Sequence, residues 1–392
     1  MSRKNLLVVL LTTFVAFCAL YAPQPILPRL ADAFAVSPAS AALLITVTLV
    51  PLGLAPIVYG YLLEAVPARS LLLWAVGGLA LCQIAFALVG TFGLGFAWLV
   101  AVRLLQGLLF PAIFTALVTY VASMSAAAQV RRSVSFYIAT TISGGFAGRA
   151  LAGVLASGFG WQAPFWLLAA LLGLCVLAIR ELESDAELDF ARLDPSAVRE
   201  VLAEPVYRYG FLTIFAVFFC FAALLNSLPF RVIELDPQAS DALIALMYTG
   251  YLIGIVMALS AARVAAWLGG EIRAVAVGCG VFLLSVLATA VPNTAFLFVV
   301  IFAFCAGNFL VHGTLSGFLN QRAQRRKGVV NGLYIAFYYC GGAIGSFAPA
   351  MFYRAFGWNG FVALLGVLLL CAFALIAGLS RALRQRPAAD VL

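Results

Sequence analysis

Apolar runs of about twenty residues follow one another along the whole chain, and charge is confined to their ends. At a rise of about 1.5 Å per residue, a run of that length crosses the hydrocarbon of a bilayer as a helix. Twelve can be marked, at roughly 6–30, 39–62, 70–91, 94–122, 134–157, 162–180, 208–230, 241–265, 273–291, 294–320, 329–353 and 358–382. In lipid every backbone amide must bond internally, which leaves helices or closed barrels. The runs are continuous rather than alternating, which selects helices. Only 10% of the 392 residues are charged and 65% are hydrophobic, whereas a soluble chain is about one quarter charged. The expected fold class is an all-α membrane protein with twelve transmembrane helices.

The ends of the runs set an orientation. The side that carries Arg3 and Lys4 also carries Arg69, Arg131, Arg132, Arg263, Arg273, Arg322, Arg325, Arg326, Lys327, Arg381, Arg384 and Arg386. The other side carries Arg29, Arg231 and Arg354. Positive loops stay inside, so both termini are expected on the cytoplasmic side of a bacterial inner membrane. The net charge of +8 follows from this topology and does not call for a nucleic-acid partner. The basic start, MSRKN, leads into an apolar run with no small-residue cleavage site and reads as a first span rather than a leader. The eight cysteines all lie in apolar runs with no C-x-x-C spacing; they read as small buried hydrophobes, and a lone His312 argues against a histidine metal centre. No cofactor and no metal is expected.

The one long polar stretch, 181–207, reads as a cytoplasmic linker between two six-helix bundles at 1–180 and 208–392, with 195–204 as a short amphipathic segment lying along the membrane. The two bundles repeat each other. SGGFAGRALAGVLASGFGWQAP (143–164) falls without gaps on CGGAIGSFAPAMFYRAFGWNGF (340–361), and YIA recurs at 137–139 and 334–336. Gly144, Gly145, Gly148, Gly160 and Trp161 meet Gly341, Gly342, Gly345, Gly357 and Trp358. Arg149 meets Ser346. Two parallel six-helix repeats joined by a linker describe an alternating-access transporter.

The motifs resemble those of the major facilitator superfamily. GYLLEAVPARSLL (60–72) is similar to its loop pattern G-x-L-a-D-r-x-G-r-k through Gly60, Leu62, Glu64 and Arg69, with Pro67 and Ala68 departing from it. LVAVRLLQG (99–107) follows l-x-x-x-R-x-x-q-G through Arg103, Gln106 and Gly107. Gly144, Gly148, Gly153 and Leu155 follow the antiporter pattern of span five, with Arg149 at its usual proline, and PILP (25–28) resembles the P-v-x-P of drug efflux members. YAPQPILPRL, GGFAGRALAG, LLNSLPFRVI and NGLYIAFYYCGG resemble the YnfM-type branch, the acriflavine-sensitivity and arabinose-efflux-like drug:proton antiporters. The resemblance implies that spans one, four, seven and ten line a cavity. It also implies that the glycines Gly144, Gly148, Gly341 and Gly345, with Gly153, form a close-packed seam along which the halves rock, and that Glu64 and Arg69 belong to a gating loop.

Arg103 and Arg149 are the only charges well inside the spans, and each costs about 3 kcal/mol at a helix centre. Either each donates to helix-end carbonyls and anchors the fold, or one or both bind the substrate or a carboxylate that exchanges protons. No acid stands in mid-span; Asp32 at the end of span one is the best-placed carboxylate, followed by Glu234, Asp236 and Asp241. His312 is the other titratable candidate. Tyr21, Gln24, Gln106, Asn226, Asn308 and Tyr338 are the inward polar and aromatic candidates. A cavity of arginine, amides and aromatics suits a neutral or anionic ligand better than a cation. The reading is a proton-coupled exporter of a small organic solute, expected as a monomer in the bilayer; the alternative is an anion exchanger or uniporter that uses the two arginines. No nucleophile–base pair, metal constellation or nucleotide loop points to an enzyme.

Overall fold

The computed structural model describes residues 3–124, 127–183, 195–323 and 326–385, with backbone alone for 55–65, 122–124 and 127–135. Of the polar stretch expected as a linker, 184–194 lies outside the described residues. Fourteen helices follow the apolar runs. They are α1 Arg3–Tyr21, α2 Leu27–Ala33, α3 Pro38–Ala65, α4 Ala68–Thr91, α5 Phe96–Met124, α6 Ala127–Phe159, α7 Ala163–Arg180, α8 Pro195–Ala203, α9 Pro205–Leu235, α10 Asp241–Leu246, α11 Tyr251–Trp267, α12 Glu271–Ala288, α13 Thr294–Arg322 and α14 Lys327–Gln385. Among the described residues, ten helices are long and apolar enough to cross a membrane singly, and the bent pair α2 and α3 makes an eleventh. Helix α14 has 59 residues and is broken at Gly357, whose φ of 67° lies in the left-handed region, so it supplies two crossings and the total is twelve. Gly160, the repeat mate of Gly357, turns the chain between α6 and α7 at φ 86°. A residue without a Cβ takes this conformation at least cost, which is why the Gly–Trp pair recurs at both corners.

The first span differs from the continuous 6–30 read from hydropathy. It breaks after Tyr21 and resumes as α2, because Pro23 and Pro25 carry no backbone N–H and cannot continue an α-helix. The span expected at 241–265 is likewise interrupted, by a short 3-10 turn at Met247–Gly250.

The chain divides into two compact units. One comprises Met1–Ala191 with Gln238–Tyr248; the other comprises Arg192–Pro237 with Thr249–Leu392. In the first, α6 packs along α1, α4 lies against α5 and α7, and α10 sits on α6. In the second, α9 packs along α14, and α13 lies against α12 and α11. Large apolar side chains face outward, as lipid requires: Trp74 and Trp267 are 81% and 83% exposed. Polar side chains are turned in; Gln83, Gln106 and Asn308 are each fully buried. The amphipathic α8 packs one face on its own unit. Its Ala197 and Val201 are buried within the second unit, where α8 meets α9 and α14, and Glu200 pairs with Arg326 at 2.6 Å. All eight cysteines are free thiols. Six are buried as expected, while Cys340 is half-buried and Cys371 exposed.

Candidate functional site

A broken helix exposes carbonyls that have no partner one turn ahead. The last four carbonyls of α1 can be followed one by one. Cys18 O accepts from Ala22 N at 2.9 Å, and Tyr21 O accepts from Gln24 N at 3.1 Å. The other two go to Arg103 of α5, whose Nη1 donates to Ala19 O at 3.4 Å and whose Nη2 donates to Leu20 O at 2.8 Å. Its Nε donates to Leu44 O of α3 at 2.9 Å, and Nη1 also reaches Gln106 Oε1 at 2.7 Å. The residue is 1% exposed. A guanidinium at the negative end of α1 gains both the hydrogen bonds and the dipole. Arg103 is thus engaged as a clamp over α1, α3 and α5, and Gln106 is held by it.

Arg149 meets the same break from α6. Its Nε donates to Gln24 Oε1 at 2.6 Å, and its Nη1 donates to Gly145 O, one turn back, at 2.6 Å. The guanidinium lies 4.1 Å from the centre of the Tyr21 ring and 5.1 Å from that of Tyr248. Aromatic faces and an amide oxygen offset the loss of water. Ser346, its repeat mate, makes the equivalent backbone bond, donating to Gly342 O at 2.7 Å. The repeat therefore shares the hydrogen bond, and the guanidinium is what the first unit adds. Asp32 does not join this group: it is exposed on α2. The acid drawn in nearby is Asp241, on Arg29 Nε at 2.6 Å, while Arg29 Nη1 also donates to Ala156 O at 3.0 Å. Ser157 Oγ accepts from Ala242 N at 2.9 Å.

The glycines act as notches, and those at Gly144, Gly148, Gly341 and Gly345 are filled by backbone of a helix in the same unit. A Cβ at Gly144 would stand 2.6 Å from Phe14 O, and one at Gly148 would overlap the backbone of Cys18, both on α1. A Cβ at Gly341 or Gly345 would overlap the backbone of Phe215 or Phe219 on α9. Gly153 closes on Asp241 and Ala245. The helix pairs α6–α1 and α14–α9 thus repeat the same close approach.

The second unit gathers a second polar group. Tyr334 Oη lies 3.0 Å from His312 Nδ1 and 3.1 Å from His312 O. The Tyr338 ring is centred 4.8 Å from the imidazole and stacks at 3.6 Å on Phe218. Asn308, one turn before His312 on α13, is fully buried, and among the described residues neither its Oδ1 nor its Nδ2 has a partner. Asn226 of α9 is 2% exposed. Arg69 donates from Nη2 to Arg180 O at the end of α7; the side chain of Glu64 lies outside the described residues. Sequence reading did not single out Tyr248, whose ring only the fold brings to Arg149, nor Gln83, whose two amide atoms are buried on α4 without partners among the described residues. A polar amide in a long apolar run was the available signal for Gln83.

The profile of the Major Facilitator Superfamily matches residues 9–346. The chain is 25% identical over 366 residues to the inner membrane transport protein YnfM of Escherichia coli strain K12, covering 91% of this chain and 85% of that one. It is 22% identical over 378 residues to YybF, an uncharacterised MFS-type transporter of Bacillus subtilis strain 168, covering 95% and 92%. Its fold matches the crystal structure of a bacterial homologue of the human lysosomal transporter Spinster, inward-facing and unoccupied, with a TM-score of 0.70, 16% identity and 98% coverage of both chains. The twelve-helix repeat and the family match over most of its length agree: the chain belongs to the Major Facilitator Superfamily and is a membrane transporter, not an enzyme.

Proposed function

We propose that the chain is a secondary active exporter of a small organic solute, working by alternating access between its two bundles and exchanging the solute for protons. Both termini are cytoplasmic in this reading, and the protein acts as a monomer in the bacterial inner membrane. The observation that carries it is the interrupted first helix. Transporters place solute where a membrane helix is broken and its polar backbone is available. Here the break gathers Tyr21, Gln24, Arg149 and Tyr248 in the buried interior, and an ionisable group at such depth points to function. The anion-exchange alternative loses one of its two arginines, because Arg103 is taken up by carbonyls of α1 and α3 and by Gln106.

The test is transport by the purified chain in proteoliposomes, using cationic, neutral and anionic organic dyes, with wild type and Arg149→Ser. The variant copies the residue at the matching position of the other repeat and keeps its backbone bond. Wild type should move at least one neutral or anionic dye, and the variant should lose most of that transport while folding normally. Unchanged transport by Arg149→Ser would make the arginine structural and remove the proposed site.

A further inference from the structure

We infer that His312, through its Nε2 atom and with the Asn308 amide as its acceptor, is the group that carries the exchanged proton; this rests on the proton-exchange reading above. The argument begins with where the carboxylates are. Asp32 and Glu64 are each next to last in their helices, Glu234 is in the last turn of α9, and Asp241 and Glu271 open α10 and α12. Asp236 follows the last residue of α9, and the remaining acids fall at 181–204 and at Asp390. No carboxylate stands in the interior of a span. His312 is the sole histidine of the chain and lies in the interior of α13, ten residues before Arg322 ends it. Among side chains, imidazole is the one that exchanges a proton near neutral pH without special tuning.

The surroundings of His312 fix which nitrogen is available. Tyr334 Oη contacts both Nδ1 and the carbonyl of His312, and a phenol has one hydrogen to give. Both contacts are hydrogen bonds only if Oη donates to the carbonyl and Nδ1–H donates to Oη. Nε2 then holds the lone pair. A proton arriving from water adds to Nε2 and leaves both Tyr334 bonds unchanged, so the charged form needs one new acceptor. Asn308 lies one turn away on the same face of α13, where side chains i and i+4 are neighbours, and its Oδ1 is buried without a partner among the described residues. The Tyr338 ring at 4.8 Å favours the cation as well.

The helices packed on α13 bring no competing charge. From α14 the groups facing His312 are Tyr334 and Tyr338. On α9, Arg208, Arg231 and Glu234 stand within five residues of a helix end, as do Arg263 on α11 and Glu271 and Arg273 on α12. Lys327 opens α14, Arg354 adjoins its break, and Arg381 and Arg384 stand in its last five residues.

The test uses the full chain in two measurements. Because there is one histidine, isotope-labelled protein in nanodiscs gives a single imidazole signal without any solute. That signal should report the Nδ1–H tautomer at high pH and protonate at Nε2 as the pH falls through the range about pH 5 to 8. Tyr334→Phe should mix the tautomers, and Asn308→Ala should move the protonation to lower pH. In proteoliposomes loaded with ethidium, fluorescein and coumarin, an imposed pH gradient should drive accumulation by wild type and about tenfold less by His312→Gln, while downhill exchange persists. Wild type that responds to no pH gradient would defeat proton exchange itself. A wild type that responds, with His312→Gln responding equally, would defeat the assignment to His312 alone. If His312→Gln does not fold, an imidazole that stays neutral throughout the range overturns the assignment by itself.

Discussion

The two intramembrane arginines solve one local problem in different ways. A helix broken inside a membrane leaves carbonyls that water cannot satisfy, and each uncompensated buried group costs about 1–3 kcal/mol. Arg103 takes two such carbonyls of α1 and one of α3. Arg103→Gln can replace at most part of this, so it should lower the stability of the folded protein by about 3 kcal/mol or more. Thermal unfolding and monodispersity in detergent read this directly, and a variant as stable as wild type would remove the clamp. Arg149 has a different environment: one amide, one carbonyl of its own helix and two aromatic faces. Arg149→Ser keeps the bond to Gly145 in the way that Ser346 bonds Gly342, so its loss should fall on transport rather than on folding. The presence of both arginines was legible in the sequence because charge inside an apolar run stands out. Their partners were not, because they are backbone carbonyls and rings such as Tyr248, and neither composition nor spacing reports which carbonyl a break leaves open.

At the level of helices, the notches set the packing. Gly148 and Gly345 meet backbone, which cannot move aside as a flexible side chain could. Gly148→Ala and Gly345→Ala should therefore each cost about 1–3 kcal/mol through overpacking. Gly173 of α7 has nothing within 4 Å of a Cβ, so Gly173→Ala should be neutral or stabilising by up to about 1 kcal/mol, the helix propensity difference. The three variants compared by thermal unfolding check the assignment, and equal stability of all three would refute it. The sequence made the helices and the repeat plain, since apolar length and recurring glycines are one-dimensional signals. Small-residue spacing was visible, but spacing does not say which neighbour fills a notch; here it is α1 for Gly144 and Gly148, α9 for Gly341 and Gly345, and α10 for Gly153. The break in the first span was written in YAPQP, yet mean hydropathy stays high through prolines, so a window over 6–30 reads through it.

At the level of the whole molecule, the twelve crossings and the family match define a transporter, while exchange against protons is the proposal built on them. The chain has titratable groups of two kinds: carboxylates at helix ends, of which Asp241 is held by Arg29 and Glu234 by Arg231, and one histidine in the interior of a span. A carrier of this design should move protons only when solute moves. Purified protein in proteoliposomes with a pH-sensitive dye inside tests this most directly. Adding a transported solute to one side, with no imposed gradient, should move protons in the opposite direction to the solute at a fixed ratio, and empty liposomes should show none. Solute transport with no accompanying proton movement would contradict the account.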